Sequence, residues 1–211
     1  MKRTKLISFI SIAAMALVSS TAGLSQGVSA ATVNDTKNGG NSTATASLIK
    51  PDEGSEAANI KLTAVPDITF AEQVISGEAL TIDSAKTVSD PITVVNPGQD
   101  DGWSVSVKTA GFVGTSDDMK GKLLRGAVLS FDAGTVSTDN PAAVTDEEKP
   151  TGVAIPVNET DGLITSASTN QGYGTWYHKH EVNEVHLSIP SANVAGDYQA
   201  DLVWTLGNAP K

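Results

Sequence analysis

Residues 198–206 read YQADLVWTL, a run in which apolar and polar side chains alternate. Successive side chains of a β-strand point to opposite faces, so this run predicts a strand with one apolar and one largely polar face. Trp103, Val105 and Val107 repeat the same alternation about a hundred residues earlier. Alternation favours a core position for Trp103 and Trp204, because tryptophan is mostly buried in folded domains. The alternative is an exposed groove in which the indoles stack on sugar rings or muropeptide.

The chain around this run consists of short β-branched and apolar segments separated by Pro, Gly, Asn and Asp. Many short strands at this spacing predict an all-β fold, an antiparallel β-sandwich (Ig-like or barrel-like) with little helix. A turn or so of helix is expected within residues 116–124. The predicted strands cover residues 60–64, 68–70, 80–83, 92–95, 103–108, 128–133, 153–155, 174–178, 184–189 and 196–206.

Three segments are expected along the 211-residue chain. Residues 1–30 resemble a secretory signal peptide, with Lys2, Arg3 and Lys5 before an apolar run and small residues at a cleavage point. Residues 31–59 are rich in Ser, Thr, Asn and Gly and predict a flexible lead. Residues 60–211 are expected to form one domain. No covalent or membrane anchor is expected after the last strand, and without cysteine neither lipidation at Cys nor a disulfide is possible.

The chain is strongly acidic, with 14 Lys and Arg against 24 Asp and Glu. Removal of the three basic residues of the signal leaves 11 against 24, a formal charge of −13. This balance argues against nucleic acid, whose binding needs a cationic surface. It also argues against simple Coulomb attraction to anionic wall polymers or lipid headgroups. Affinity for a cell surface is therefore expected from apolar stacking, hydrogen bonds or a bridging divalent ion.

The sequence offers little for catalysis. His178 and His180 would share a strand face, but a surface or loop cluster of histidines is the favoured interpretation over a metal site. The run beginning at His180 has Glu184 where a zinc-peptidase helix requires a second histidine. No G-x-S-x-G turn or cysteine nucleophile is present, and no carboxylate pair stands out. We therefore expect a non-enzymatic protein without cofactor or metal.

A third aromatic group, formed by Tyr173, Trp176 and Tyr177, lies among glycines. Glycine allows close approach of backbone and rings to a ligand, which suggests an exposed aromatic ledge for saccharide or a partner strand. A bulged strand with Trp176 in the core is the equal alternative.

The distal aromatic run resembles the C-terminal motif of the WxL domain family of low-GC Gram-positive bacteria. The matching distal residues are Tyr198, Leu202, Trp204, Leu206 and Pro210. The proximal Trp-x-Leu motif corresponds to Trp103 and Val105, with Val in place of Leu. The resemblance extends over about residues 58–211.

This resemblance implies non-covalent attachment to the bacterial cell wall, with peptidoglycan as the usual receptor. It also implies association with other WxL proteins, WxL-interacting proteins and LPxTG-anchored proteins in surface complexes. Two further classes remain open: a subunit that docks on a partner protein by strand addition, and a carbohydrate-active enzyme.

Overall fold

The computed structural model describes residues 32–33 and 39–207, which fall into two compact units divided between Leu48 and Ile49. In the first unit, strands β1 (Thr32–Val33) and β2 (Gly40–Asn41) pair antiparallel. The predicted signal peptide lies outside the described residues.

The second unit is built from sixteen further short strands. In chain order they are β3 (Lys61–Ala64), β4 (Ile68–Thr69), β5 (Leu80–Ile82), β6 (Thr87–Val88), β7 (Ile92–Asn96), β8 (Trp103–Thr109), β9 (Val113–Gly114), β10 (Val128–Phe131), β11 (Thr135–Thr138), β12 (Thr151–Gly152), β13 (Ile155–Val157), β14 (Gly162–Ala167), β15 (Gly174–Lys179), β16 (Val185–Ile189), β17 (Tyr198–Gln199) and β18 (Leu202–Gly207).

Three four-stranded antiparallel sheets contain most of these strands. Sheet I has the order β13-β10-β16-β5, sheet II the order β11-β15-β7-β3, and sheet III the order β12-β14-β8-β18. The two-stranded pairs β4-β6 and β9-β17 complete the unit. The predicted antiparallel β-sandwich is confirmed.

One hydrophobic core joins the three sheets. Sheet III contributes Trp103, Val105, Val107 and Ile164, while Leu129 and Phe131 of sheet I and Ile92, Val94 and Trp176 of sheet II pack into the same cluster. Strand β8 lies inside sheet III, and its 103, 105 and 107 side chains are fully buried. Val at position 105 preserves the branched apolar packing that Leu would give, since both bury similar surface.

Helix is limited to 3-10 turns in the described part of the chain. They cover Glu56–Ala58, Asp117–Met119, Pro141–Ala143, Asp146–Glu148 and Val182–Glu184. The turn at Asp117–Met119 falls where the sequence predicted one. Of the residues that the structure describes, no helix is long and apolar enough to cross a membrane.

Two features of the strand prediction were wrong. The predicted strand 196–206 is two strands, because the chain leaves β17 at Gln199 and enters β18 only at Leu202. The strand expected at 153–155 is displaced to Ile155–Val157, preceded by the short β12. Among the strands that the sequence pattern missed, β14 (GLITSA) matters most, since it pairs with both β8 and β12.

Candidate binding groove

The proximal motif residues lie in the core. Trp103 is 1% exposed and its Nε1–H donates a hydrogen bond to the Gly172 carbonyl at 3.1 Å. A Cβ on Gly172 would lie 2.6 Å from Trp103 Nε1, so only glycine fits beneath the indole. Val105 is completely buried. These two side chains build the domain and present no surface to a ligand.

The distal motif residues are in a different environment, half-buried at the edge of sheet III. Leu202, Trp204 and Leu206 pack against the core from β18, each on its apolar face. The Trp204 ring meets Phe131 edge-to-face, with centroids 6.1 Å apart. On the opposite face of the strand, Val203 is 50% exposed. Pro210 lies outside the described residues.

A groove of about 930 Å³ opens beside these distal residues. Its walls are residues 65–78 and 80 on one side and residues 189–202 and 204 on the other. The apolar floor and walls include aromatic rings from three distant parts of the chain, namely Phe70, Phe112, Tyr198 and Trp204. Leu129 and Leu187 of sheet I lie at its base. A concave apolar surface with aromatic walls is the usual form of a ligand site.

The groove is also acidic. Its lining contains five carboxylates and, among the described residues, no Lys, Arg or His; the acidic residues are Asp67, Glu72, Glu78, Asp197 and Asp201. None of these five forms an ion pair with another described residue. Asp201 accepts a hydrogen bond from the Gln199 side chain at 3.3 Å. The site therefore favours hydrogen-bond donors and cations and repels anions.

Side-chain hydrogen bonds stabilise the groove wall that begins at residue 189. The Asn193 amide donates to the carbonyls of Arg125 and Pro190, both at 3.0 Å, and its oxygen accepts from Arg125 N–H at 2.8 Å. The Tyr198 hydroxyl donates to the Val194 carbonyl at 2.9 Å. This bond uses the Tyr198 hydroxyl, which leaves the ring of Tyr198 for contact with an occupant.

The predicted exposed aromatic ledge needs correction at its centre. Trp176 is 2% exposed and belongs to the core, where its Nε1–H donates to the Tyr173 carbonyl at 2.9 Å. Tyr177 lies on the face of β15 opposite to Trp176, and Tyr173 lies just before that strand; both tyrosines are half-buried. Their hydroxyls donate to Asp100 at 2.7 Å and Asp139 at 3.3 Å.

These hydrogen bonds shift the pKa values of the groups that form them. The bond to Asp100 raises the pKa of Tyr173, and the bond to Asp139 raises the pKa of Tyr177. The Lys50 ammonium, together with Tyr173, lowers the pKa of the Asp100 carboxyl. The surface of the tyrosines is therefore polar and already hydrogen-bonded within the chain, which makes the groove the better candidate site.

The interpretation of the histidines as a surface cluster was wrong for two of the three. His178 and His180 are each 3% exposed, with ring centroids 4.4 Å apart. Their Nε2–H groups donate to the carbonyls of Ala133 at 2.7 Å and Asp132 at 3.1 Å. The pair is buried because Gly134 leaves no side chain between the strands; a Cβ there would lie 2.7 Å from His178 Nε2.

Burial controls the charge of this histidine pair. It lowers the pKa of His178, against the opposing effects of the Ala133 carbonyl and Glu184. It lowers the pKa of His180 to about 4, with the neighbouring His178 acting in the same direction. Both rings are therefore neutral at pH 7. Within residues 32–33 and 39–207, no three His, Asp or Glu side chains are grouped to hold a metal ion.

Comparison with known families decides what this domain is. A family model described as WxL domain, surface cell wall-binding, matches residues 41–210. This chain belongs to the WxL family. Comparisons with curated proteins and with solved structures give no significant match. The WxL family is a family of cell-wall-binding domains at the surface rather than of enzymes.

Within this WxL domain, the two halves of the motif have different surroundings. The proximal Trp103 is fully enclosed, whereas the distal Tyr198, Leu202 and Trp204 line the groove. Sequence reasoning missed the other wall of the groove, residues 65–78 and 80. Alternation along single strands does not show which strands become neighbours, and it is the pairing of β5 with β16 that places Leu80, at the end of one wall, opposite Ile189, at the start of the other.

Proposed function

We propose that this WxL protein is a secreted, non-enzymatic surface protein that attaches non-covalently to the peptidoglycan of the bacterial cell wall. The observation that carries the proposal is the groove, which the distal residues Tyr198, Leu202 and Trp204 line in a domain of a cell-wall-binding family. Residues 1–30 are proposed as its signal peptide, residues 31–59 as a flexible lead and residues 60–211 as the binding domain.

The chemistry of the groove fits a polymer of neutral sugars linked to short peptides. The apolar faces of sugar rings stack on aromatic side chains, and Tyr198 and Trp204 supply such surfaces. The groove carboxylates accept hydrogen bonds from hydroxyl and amide groups, and charge-assisted bonds of this kind are stronger than neutral ones. Anionic wall polymers would be repelled by the same carboxylates.

Co-sedimentation of residues 31–211 with protein-free peptidoglycan tests the proposal. The wild-type protein is expected to pellet, and Trp204→Ala is expected to weaken binding by about 2 kcal/mol, roughly thirtyfold in Kd, as for a central aromatic contact. Val203→Ala is the matched control, because Val203 lies on the opposite face of the same strand. Near-UV circular dichroism checks that each variant is folded.

A second groove variant keeps the test decisive if Trp204→Ala fails to fold. Val74→Ser with Ile75→Ser changes two exposed residues at the groove mouth and should not disturb the core. A wild-type protein that stays in the supernatant would refute direct peptidoglycan binding. Release of soluble wall fragments during the incubation would refute the non-enzymatic assignment.

A second candidate function is docking in a multi-protein surface complex, with other WxL, WxL-interacting or LPxTG proteins as partners. The unpaired edge of β18 favours it, since within the described residues this strand pairs with β8 alone. A free strand edge is a template for strand addition by another chain. Attachment to cells but not to bare peptidoglycan would make this the better account.

A further inference from the structure

Two free strand edges border the groove. In the part of the chain that the structure describes, β18 pairs with β8 alone and β5 pairs with β16 alone. Both strands line the groove, β5 with Leu80 and Ile82 and β18 with Leu202 and Trp204. An extended segment laid along β18 would gain ladder hydrogen bonds and place alternate side chains in the groove.

The wall opposite Tyr198 includes most of residues 71–79, which we name the strap. Few interactions attach the strap to the rest of the domain. Every residue of the strap is exposed and none is in a strand. With other described residues it forms two hydrogen bonds, both local: Gln73 donates to the Ala71 carbonyl and Glu78 N–H donates to Ser76. Val74 is 91% and Ile75 54% exposed at the groove mouth. These two side chains would lose their contact with water by packing on an occupant of the groove.

The charge of the groove restricts its occupant. With five carboxylates and no Lys or Arg among the described lining residues, an acidic segment is repelled and a segment with a basic residue is attracted. The occupant that fits the groove best is therefore an extended segment with alternating apolar side chains. It contains a lysine or arginine and no Asp or Glu.

Residues 42–50 of this chain, STATASLIK, have that chemistry; we name them the donor segment. They contain Lys50 and no acidic residue, and they form no regular structure. Ala44, Ala46 and Leu48 fall on one side of an extended chain. Leu48 is 100% and Ile49 89% exposed, which leaves two large apolar side chains in water.

We propose that the groove of one copy accepts the donor segment of a second copy as a strand added to β18. Lys50 then exchanges its ion pair with Asp100, whose side chain is half-exposed, for the groove carboxylates. Donor and acceptor are different surfaces, so the contact is heterologous and copies join head to tail. This inference goes beyond the proposed wall attachment and does not depend on it.

Sedimentation velocity over a wide concentration range tests the self-association. The mean mass of wild-type residues 31–211 is expected to rise with concentration, and Leu48→Ser with Ile49→Ser is expected to remain monomeric. Val182→Ser is the matched control, because Val182 is an exposed apolar residue outside the groove, and it should associate like wild type. A wild-type protein that stays monomeric at every concentration would overturn the proposal.

Nuclear magnetic resonance with the synthetic peptide STATASLIK locates the contact. Added to the isotope-labelled Leu48→Ser, Ile49→Ser protein, the peptide should shift the amide signals of β18 and of the strap in a saturable way. A peptide with both apolar residues replaced by Ser should leave them unchanged. Absent shifts, or shifts confined to other strands, would contradict strand addition at β18.

The two proposals can fail separately. The Leu48→Ser, Ile49→Ser protein keeps an intact groove, so it should still pellet with peptidoglycan if wall binding is correct. The peptide STATASLIK should lower the pelleted fraction, since wall polymer and donor segment would share the groove. Pelleting that an excess of the peptide leaves unchanged would argue against their sharing it.

Discussion

At the scale of single residues, the buried histidine pair makes the folded domain less stable at acidic pH. The ordinary pKa of histidine is 6.5, and that of His180 in the folded domain is about 4. Between these values the unfolded chain binds more protons than the folded one, so the free energy of unfolding falls as pH falls through this window. At pH 7 the histidines of both states are mostly neutral and the effect is small.

Replacement of His180 by Gln should therefore flatten the pH dependence. Gln retains an N–H donor for the Asp132 carbonyl but cannot be protonated. We expect the wild-type protein to lose on the order of 1–2 kcal/mol more stability than His180→Gln between pH 7 and pH 4. Urea unfolding at both pH values measures this. Equal slopes for wild type and His180→Gln would contradict the explanation.

Residue-scale prediction from sequence succeeded where alternation alone decided the outcome. Trp103, Val105 and Val107 are buried as their spacing indicates. It was wrong for His178 and His180, because their burial depends on Gly134, which is far from them in sequence and touches both rings. A polar residue type predicts exposure unless such a distant partner supplies space and hydrogen bonds.

At the scale of elements, β8 is fixed to the loop that precedes β15. The Trp103 indole on β8 donates to Gly172, whose φ is +66° and whose missing side chain makes room for Ala167 and Trp103. The proximal tryptophan thus joins two sheets, since β8 belongs to sheet III and β15 to sheet II. A motif tryptophan that contacts almost no solvent therefore has a structural role, as a link between two sheets.

Gly172→Ala should disturb the packing between β8 and the loop that precedes β15. A methyl group there adds overpacking to a left-handed backbone, and we expect a loss of about 3 kcal/mol in the free energy of unfolding. Gly174→Ala is the matched control, since Gly174 has a φ of +84° but open space around it. The free energy of unfolding of this variant should fall only by the cost of a left-handed backbone conformation at alanine, about 1–2 kcal/mol. Chemical denaturation that gives equal losses for the two variants would argue against a packing role for Gly172.

Element-scale prediction from sequence was limited by strands with weak patterns. Strand β14 contains Gly162, Thr165 and Ser166, so its sequence lacks the alternation that identified β18. Its strand conformation depends on pairing with β8 and not on a preference of its own residues, as is common for strands. The groove could not be predicted for a similar reason: its two walls are more than a hundred residues apart in sequence.

At the scale of the whole molecule, charge and aromatic contact act against each other in wall binding. Residues 31–211 have a formal charge of −13, and the groove itself contains uncompensated carboxylates. Anionic polymers in the wall repel such a protein, so the proposed attachment relies on contacts inside the groove. Protonation of the carboxylates reduces the repulsion and leaves the aromatic contacts of Tyr198 and Trp204 in place, although it weakens the charge-assisted hydrogen bonds.

Wall binding should therefore strengthen as pH falls from about 7 toward about 4, the range in which exposed Asp and Glu begin to protonate. The fraction of protein that pellets with whole cell walls, measured across this range at low salt, is expected to rise. Added salt screens the repulsion at neutral pH and should remove most of the difference. Binding that is flat with pH would show that the net charge has no part in attachment. The His180→Gln variant serves as the control for unfolding: because its stability should change less with pH, a rise that it shares with wild type must come from the carboxylates and not from loss of structure.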